Sequence, residues 1–210
     1  MTRKTSRRHF IRDAAAISTA AWGIPASTLM SAPATPSEEQ DFQLNVNPLK
    51  LGLMTYKIGA DWDIETIIEN LQTTKIEHVE LRTTHKHGVE VSLSKQQRED
   101  VKKRFEDAQI AISLASGFSY HYDDQSELRK NIEGTKEYLQ LAADLGAEGV
   151  RVFPNAVPAE GNKERERILQ QIAKSTSECA TVGNNLGVQL RLEEHGTGTA
   201  NIPVIRQILD

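Results

Sequence analysis

In the stretch Val188-Gln189-Leu190-Arg191-Leu192-Glu193-Glu194-His195-Gly196, an apolar and polar alternation runs into a carboxylate, a histidine and a glycine. Successive side chains of an extended chain point to opposite faces, so 188, 190 and 192 share an apolar face while Gln189, Arg191, Glu193 and His195 share the other. That second face is too polar for an ordinary core, and it reads as a barrel strand whose mouth holds an active site. His195 lies on the same face as Glu193, two residues on, and is a candidate substrate contact. Similar groups recur upstream. Arg151 offers a planar fork that suits a phosphate, a sugar hydroxyl or an ion-pair partner. Glu80 and Arg82 either neutralise each other or touch substrate, and Glu193 itself can pair with Arg191 or Arg151. His85 and His87, at i and i+2, share a face in extended chain and can both reach one metal; substrate contact and a solvated loop stay open beside that. In Tyr120-His121-Tyr122 the rings can stack on a sugar face or stand in an exposed loop, with His121 the candidate ligand contact.

These groups need elements to position them, and from Leu49 the chain alternates short strand signals with longer helical ones. Leu49, Leu51 and Leu53 alternate with Lys50, Gly52 and Met54, and Asp61 or Asp63 then caps a helix with Ile64, Ile67, Ile68 and Leu71 at helical spacing. The second strand is read at His78 to Arg82, followed by a helix opened by Ser94 with Val101, Phe105 and Ala108 inward. A third strand holds Ile110, Ile112 and Leu114, and a helix from about Ser126 to Leu145 ends at Gly146. Val150 to Phe153 is the fourth strand. A helix from about Lys163 to Val182, carrying Ile168, Ile172 and Cys179, then turns at Leu186-Gly187 into the opening stretch.

Strands alternating with helices predict parallel pairing with right-handed crossovers, in an open doubly wound sheet or a closed barrel. An open sheet is covered on both faces and should be apolar on both. Here one face repeatedly carries small or charged groups, which favours a (β/α)8 TIM-barrel fold of the α/β class with catalytic groups at the C-terminal strand ends. Five strand starts, near 49, 78, 110, 149 and 187, precede a helix signal at Ile202 to Leu209. A whole barrel takes about 250 residues, so the expectation is about the first five β/α units of a barrel truncated at Asp210.

Ahead of that, Ser6-Arg7-Arg8-His9-Phe10-Ile11-Arg12 and a weakly apolar run from Ala14 to Met30 look like a twin-arginine export signal, with Ala32-Pro33-Ala34 as the cleavage site. The expected division is a signal peptide at 1–34, a linker at 35–48 and the partial barrel at 49–210. This predicts a periplasmic or otherwise exported protein that meets the twin-arginine machinery and keeps no stable membrane association after cleavage. The leader holds five basic residues and one acid, so the remainder carries −8 where the whole chain carries −4. No basic stripe remains for a phosphate backbone, which argues against nucleic-acid partners. Cys179 is the only cysteine, so no intramolecular disulfide forms and stability must come from the core.

The Gly52 to Tyr56 opening strand, Val79-Glu80-Leu81-Arg82, Gly149-Val150-Arg151-Val152-Phe153 and Leu192-Glu193-Glu194-His195-Gly196 together resemble the xylose isomerase-like barrel superfamily, in its sugar phosphate isomerase and epimerase branch. The last segment is similar to the family's Leu-Glu-Asn-His-Gly, with Glu194 in place of the commoner Asn. The resemblance implies that Glu193 is a ligand of a divalent metal (Mn, Mg, Co or Zn), shared with an Asp, a His and a Glu from later strands that would lie beyond Asp210. It also implies carboxylate-mediated proton transfer beside a carbonyl on a small sugar or sugar phosphate. Two other readings stand beside this one: a non-catalytic or vestigial carbohydrate-binding barrel fragment, and a related polyol dehydratase. A half-barrel would expose the edge of its fifth strand, which leaves pairing into a homo-oligomer open.

Overall fold

The computed structural model describes residues 49–210, which fall in one compact unit. The expected export signal at 1–34 and linker at 35–48 lie outside the described residues. The elements run β1 (Gly52–Met54), α1 (Ile64–Thr74), β2 (His78–Arg82), α2 (Lys95–Asp107), β3 (Ala111–Ser119), α3 (Gln125–Leu145), β4 (Gly149–Phe153), α4 (Arg165–Leu186), β5 (Gln189–Leu192) and α5 (Ile202–Leu209). None of these helices is long and apolar enough to cross a membrane.

All neighbouring strands are parallel and their spatial order is β1-β2-β3-β4-β5, the order of the chain. A doubly wound sheet reverses its strand order at a switch point; this one never does, as in a barrel. Alternation decides which side chains meet the helices. Val79, Leu81, Ile112, Leu114, Val150 and Val152 are buried in one core with Ile67, Leu71, Phe105, Leu139, Leu141 and Ile172 from the helices. The other face carries Met54, Glu80, Arg82, Ser113, Ala115, Arg151 and Glu193, as the alternation predicts. The fold is therefore a parallel five-stranded portion of a TIM barrel.

Helix starts follow from local chemistry. Asp63 accepts from the Thr66 amide at 3.0 Å, and Ser94 and Gln97 form a reciprocal capping box on α2. Such caps stabilise by about 1 kcal/mol each. Three boundaries differ from the sequence reading: α4 runs past Val182 to Leu186 and its cap at Gly187, and the other two lie in strands. Leu49 and Leu51 are 99% and 73% exposed, and β1 starts only at Gly52, which is where β2 begins to offer a partner at His78. β3 runs on to Ser119 through an irregularity: Ala115 pairs with Arg151 but Ser119 pairs with Phe153, four residues advancing against two. The extra residues bulge out, and Ser116 turns its hydroxyl back to donate to the Arg151 carbonyl at 2.7 Å.

Candidate active site

The polar face gathers at the C-terminal ends of the strands. Met54, Tyr56, Arg82, Arg151, Phe153, Glu193 and His195 line a cavity of about 260 Å³. Arg151 is its hub. Its Nε donates to Glu80 Oε1 at 3.1 Å, Nη1 pairs with Glu193 Oε2, and Nη2 lies 3.1 Å from the Met54 sulfur. The guanidinium also packs on the Phe153 ring, 4.9 Å from its centroid. Arg151 reaches Glu80 over β3, and it can do so because the β3 side chains on that face are Ser113 and Ala115. The Arg151 side chain is 13% exposed, against 19% for Glu80 and 35% for Glu193, so the arginine is the driest member of the triad and Glu193 the wettest.

Glu193 turns its second oxygen, Oε1, toward His195 Nδ1 at 3.4 Å, and the imidazole leans on Phe153 with ring centroids 5.1 Å apart. The loop bearing His195 is fastened to the loop after β4. Gly196 has φ 123°, and a Cβ there would stand 2.4 Å from the carbonyl of Asn155. Thr199 Oγ1 donates to that same carbonyl at 2.6 Å. Only glycine permits both the backbone angle and the close approach.

Glu80, Arg151, Glu193 and His195 are thus brought together, whereas His85, His87 and His121 do not line this cavity. His87 is 7% exposed; its Nε2–H donates to the Arg82 carbonyl at 2.9 Å and its Nδ1 accepts from the Val89 amide at 3.0 Å. With both ring nitrogens held by backbone, neither a metal nor a substrate can use them, so the loop histidine expected as a ligand contact holds the loop together instead. Burial pushes the His87 pKa down. His85 bonds the Thr55 hydroxyl at 3.3 Å through Nδ1, and desolvation, then the nearby Arg82 charge, lower its pKa. His121 bonds Ser119 Oγ at 3.1 Å and is also lowered by desolvation. Tyr120, read as a ring for stacking on sugar, is fully buried, with its hydroxyl donating to Thr135 at 2.9 Å.

Arg82 does not neutralise Glu80. Its guanidinium lies 5.6 Å from the Tyr56 ring centroid and donates through Nη1 to the Thr83 carbonyl at 2.9 Å. The Arg191 side chain turns toward the N-terminal strand ends, beside His78 and Ala111, and pairs with Glu148 at 3.0 Å. Met54, Tyr56 and Phe153 enter the sequence reading only as parts of strands and not as site residues; strand alternation, which puts each on the face of Glu80 and Arg151, is the signal that could have found them.

The donor set tests the expected divalent ion. Zinc takes four nitrogen, oxygen or sulfur ligands and hard dications take about six or more oxygens. Among the described residues no three of His, Cys, Asp and Glu converge on one point, and a guanidinium already sits on Glu193. Glu193 and His195 alone do not fit a resident ion.

The sequence pattern of a family described as xylose isomerase-like TIM barrel matches residues 68–210. Among solved structures, a D-tagatose 3-epimerase-like protein superposes with a TM-score of 0.61 at 14% identity, over 77% of this chain and 60% of that one. A D-psicose 3-epimerase from Clostridium cellulolyticum H10, solved with D-tagatose, gives 0.60 at 15% identity, over 77% and 60%. The IOLI protein with a zinc atom gives 0.62 at 17% identity, over 77% and 58%. This chain therefore spans about three-fifths of the length of those structures, and at these identities the likeness is one of fold. No curated protein matches the chain.

Proposed function

Because the chain belongs to the xylose isomerase-like TIM barrel family, we propose that it acts as a sugar isomerase or epimerase in which Glu193 moves a proton on the carbon beside a carbonyl. The observation that carries this reading is the placement of Glu193 at the end of β5, one oxygen held by Arg151 and the other turned toward His195 in the cavity. Arg151 fixes the carboxylate, leaving Oε1 to meet substrate. The C–H bond beside the carbonyl breaks, its proton passes to Oε1, and the electron pair moves onto the carbonyl oxygen. Guanidinium N–H groups and the His195 imidazole are the donors available to that developing charge. Returning the proton to the neighbouring carbon, while the hydroxyl proton passes to the former carbonyl oxygen, interconverts aldose and ketose; a proton delivered by water from the opposite face, with the first kept on Glu193, inverts the centre. The small-molecule partner is a sugar.

A non-catalytic carbohydrate-binding barrel is the second reading, and the occupation of Glu193 by Arg151 favours it. One experiment separates the two. The chain is incubated with D-fructose and D-ribulose in deuterated water, with and without manganese, and deuterium entering beside the carbonyl is followed by proton NMR. Exchange is expected with the native chain and lost in Glu193→Gln, which keeps the shape and should keep sugar binding. Absence of exchange under all conditions, with binding intact, would favour the non-catalytic barrel. Export in folded form through the twin-arginine route belongs to the same proposal and is supported by the Ser6 to Arg12 pattern.

A further inference from the structure

Arg82 lines two cavities. Besides the one around Glu193, it borders a second of about 400 Å³, between the loop after β2 and helix α3, which Gly117, Phe118 and Tyr138 also line. That second cavity is built. Gly134 stands inside α3, where glycine costs about 1 kcal/mol relative to alanine. A Cβ on Gly134 would lie 2.5 Å from Phe118 Cζ, so the missing side chain is the seat of the Phe118 ring. Phe118 meets Tyr138 edge to face, with centroids 5.5 Å apart. The Tyr138 hydroxyl donates to Glu90 Oε2, and Glu90 Oε1 accepts from the Thr84 amide. A continuous set of contacts thus fixes the β2 loop, the aromatic wall and α3 around the space.

Gly117 faces that space for no reason that packing supplies. Its φ is outside the left-handed region, and a Cβ there would meet nothing within 4 Å. The fold would accept a side chain at 117, and the volume that glycine leaves open adjoins Phe118. At the junction, Arg82 spends Nη1 on Thr83, while its other guanidinium N–H groups have no protein partner among the described residues.

We propose that this cavity is a subsite for the distal ring of a substrate larger than one sugar, connected past Arg82 to the ring that meets Glu193. The half-buried Phe118 supplies apolar surface for the C–H face of a sugar ring, and Arg82 supplies donors for the oxygen that links two rings. The inference rests on the sugar reading of the Glu193 cavity and adds the size of the substrate to it.

The test is a binding measurement, which needs no turnover. Lactulose, a ketose carrying a second ring, and D-fructose are titrated calorimetrically into the native 210-residue chain, Gly117→Leu and Gly117→Ala. The native chain is expected to bind lactulose about tenfold more tightly than fructose. Gly117→Leu fills the open space, so it should lose that preference while its fructose affinity and melting temperature stay unchanged. Gly117→Ala should retain most of the preference. Equal affinity for the two sugars in the native chain, or an undiminished preference in Gly117→Leu, overturns the subsite and leaves the sugar reading standing. Failure of both sugars to bind overturns both.

Discussion

Replacing Arg151 by methionine keeps much of its volume and removes the charge that lies between Glu80 and Glu193. Two carboxylates are then left facing each other over the small side chains of β3. Deleting one partner of a buried ion pair costs about 3–5 kcal/mol, because the remaining charge has been taken out of water without compensation. Glu80 is 19% exposed and meets that description, but Glu193 is 35% exposed and water screens part of its loss. The expected destabilisation is therefore about 2–4 kcal/mol, or a fall in melting temperature of roughly 5–15 °C for a domain of this size. Urea unfolding of the native chain, Arg151→Met, Glu80→Gln and the double variant closes a mutant cycle. Glu80→Gln alone should cost about 1–2 kcal/mol, since the amide oxygen still accepts from Nε. The double variant should cost less than the sum of the two single ones, with a coupling of about 1 kcal/mol or more. A loss below about 0.5 kcal/mol for Arg151→Met, or strict additivity, would refute the view that the triad is one electrostatic unit.

One further outcome follows from the geometry and one from the sequence. The folded-state pKa of His87 lies below its ordinary 6.5 because burial disfavours the cation, so the unfolded chain binds that proton first. Stability should be full above about pH 6.5 and decline as the pH drops below it toward the folded-state value; denaturation midpoints from pH 7.5 down to 5 should show this slope, and His87→Gln should flatten it and lower stability by about 1–3 kcal/mol through unmade hydrogen bonds. A slope unaltered by the substitution would place the titration elsewhere, with His85 and His121, both also lowered by burial, the next to replace. For export, replacing Arg7 and Arg8 together by lysine should hold the full-length chain in the cytoplasm of a bacterial host, as cell fractionation would read, and equal export of both forms would count against a twin-arginine leader.

Much of the scaffold was legible because it rests on local patterns. β2 and α5 fall where alternation and helical spacing place them, and Asp63, Ser94 and Gly146 mark helix ends through chemistry confined to a few residues. The same alternation put Glu80, Arg151 and Glu193 on one face. Choice of partner was not legible, because it is settled between strands: Arg82 is two residues from Glu80 on that face, yet Arg151 takes the carboxylate by reaching over Ser113 and Ala115. His87 and Tyr120 misled for a related reason. Polar and amphipathic types in a stretch rich in turns read as exposed, but here the loops fold inward and use those groups to satisfy backbone and helix. The β3 bulge, with Gly117 in it, leaves no trace in periodicity because it breaks the period.

The contact between Gly196 and Asn155 acts as a mechanical clearance with no slack. One added methyl would wedge two backbones apart and lift the end of β5 from the rim of β4. His195 is the residue next to the wedge, so its imidazole would swing with it, out of reach of Glu193. The alignment of the two ionisable groups in this mouth is thus gauged by a residue that has no side chain, and a chain with every ionisable group intact would lose that alignment if this single spacing changed.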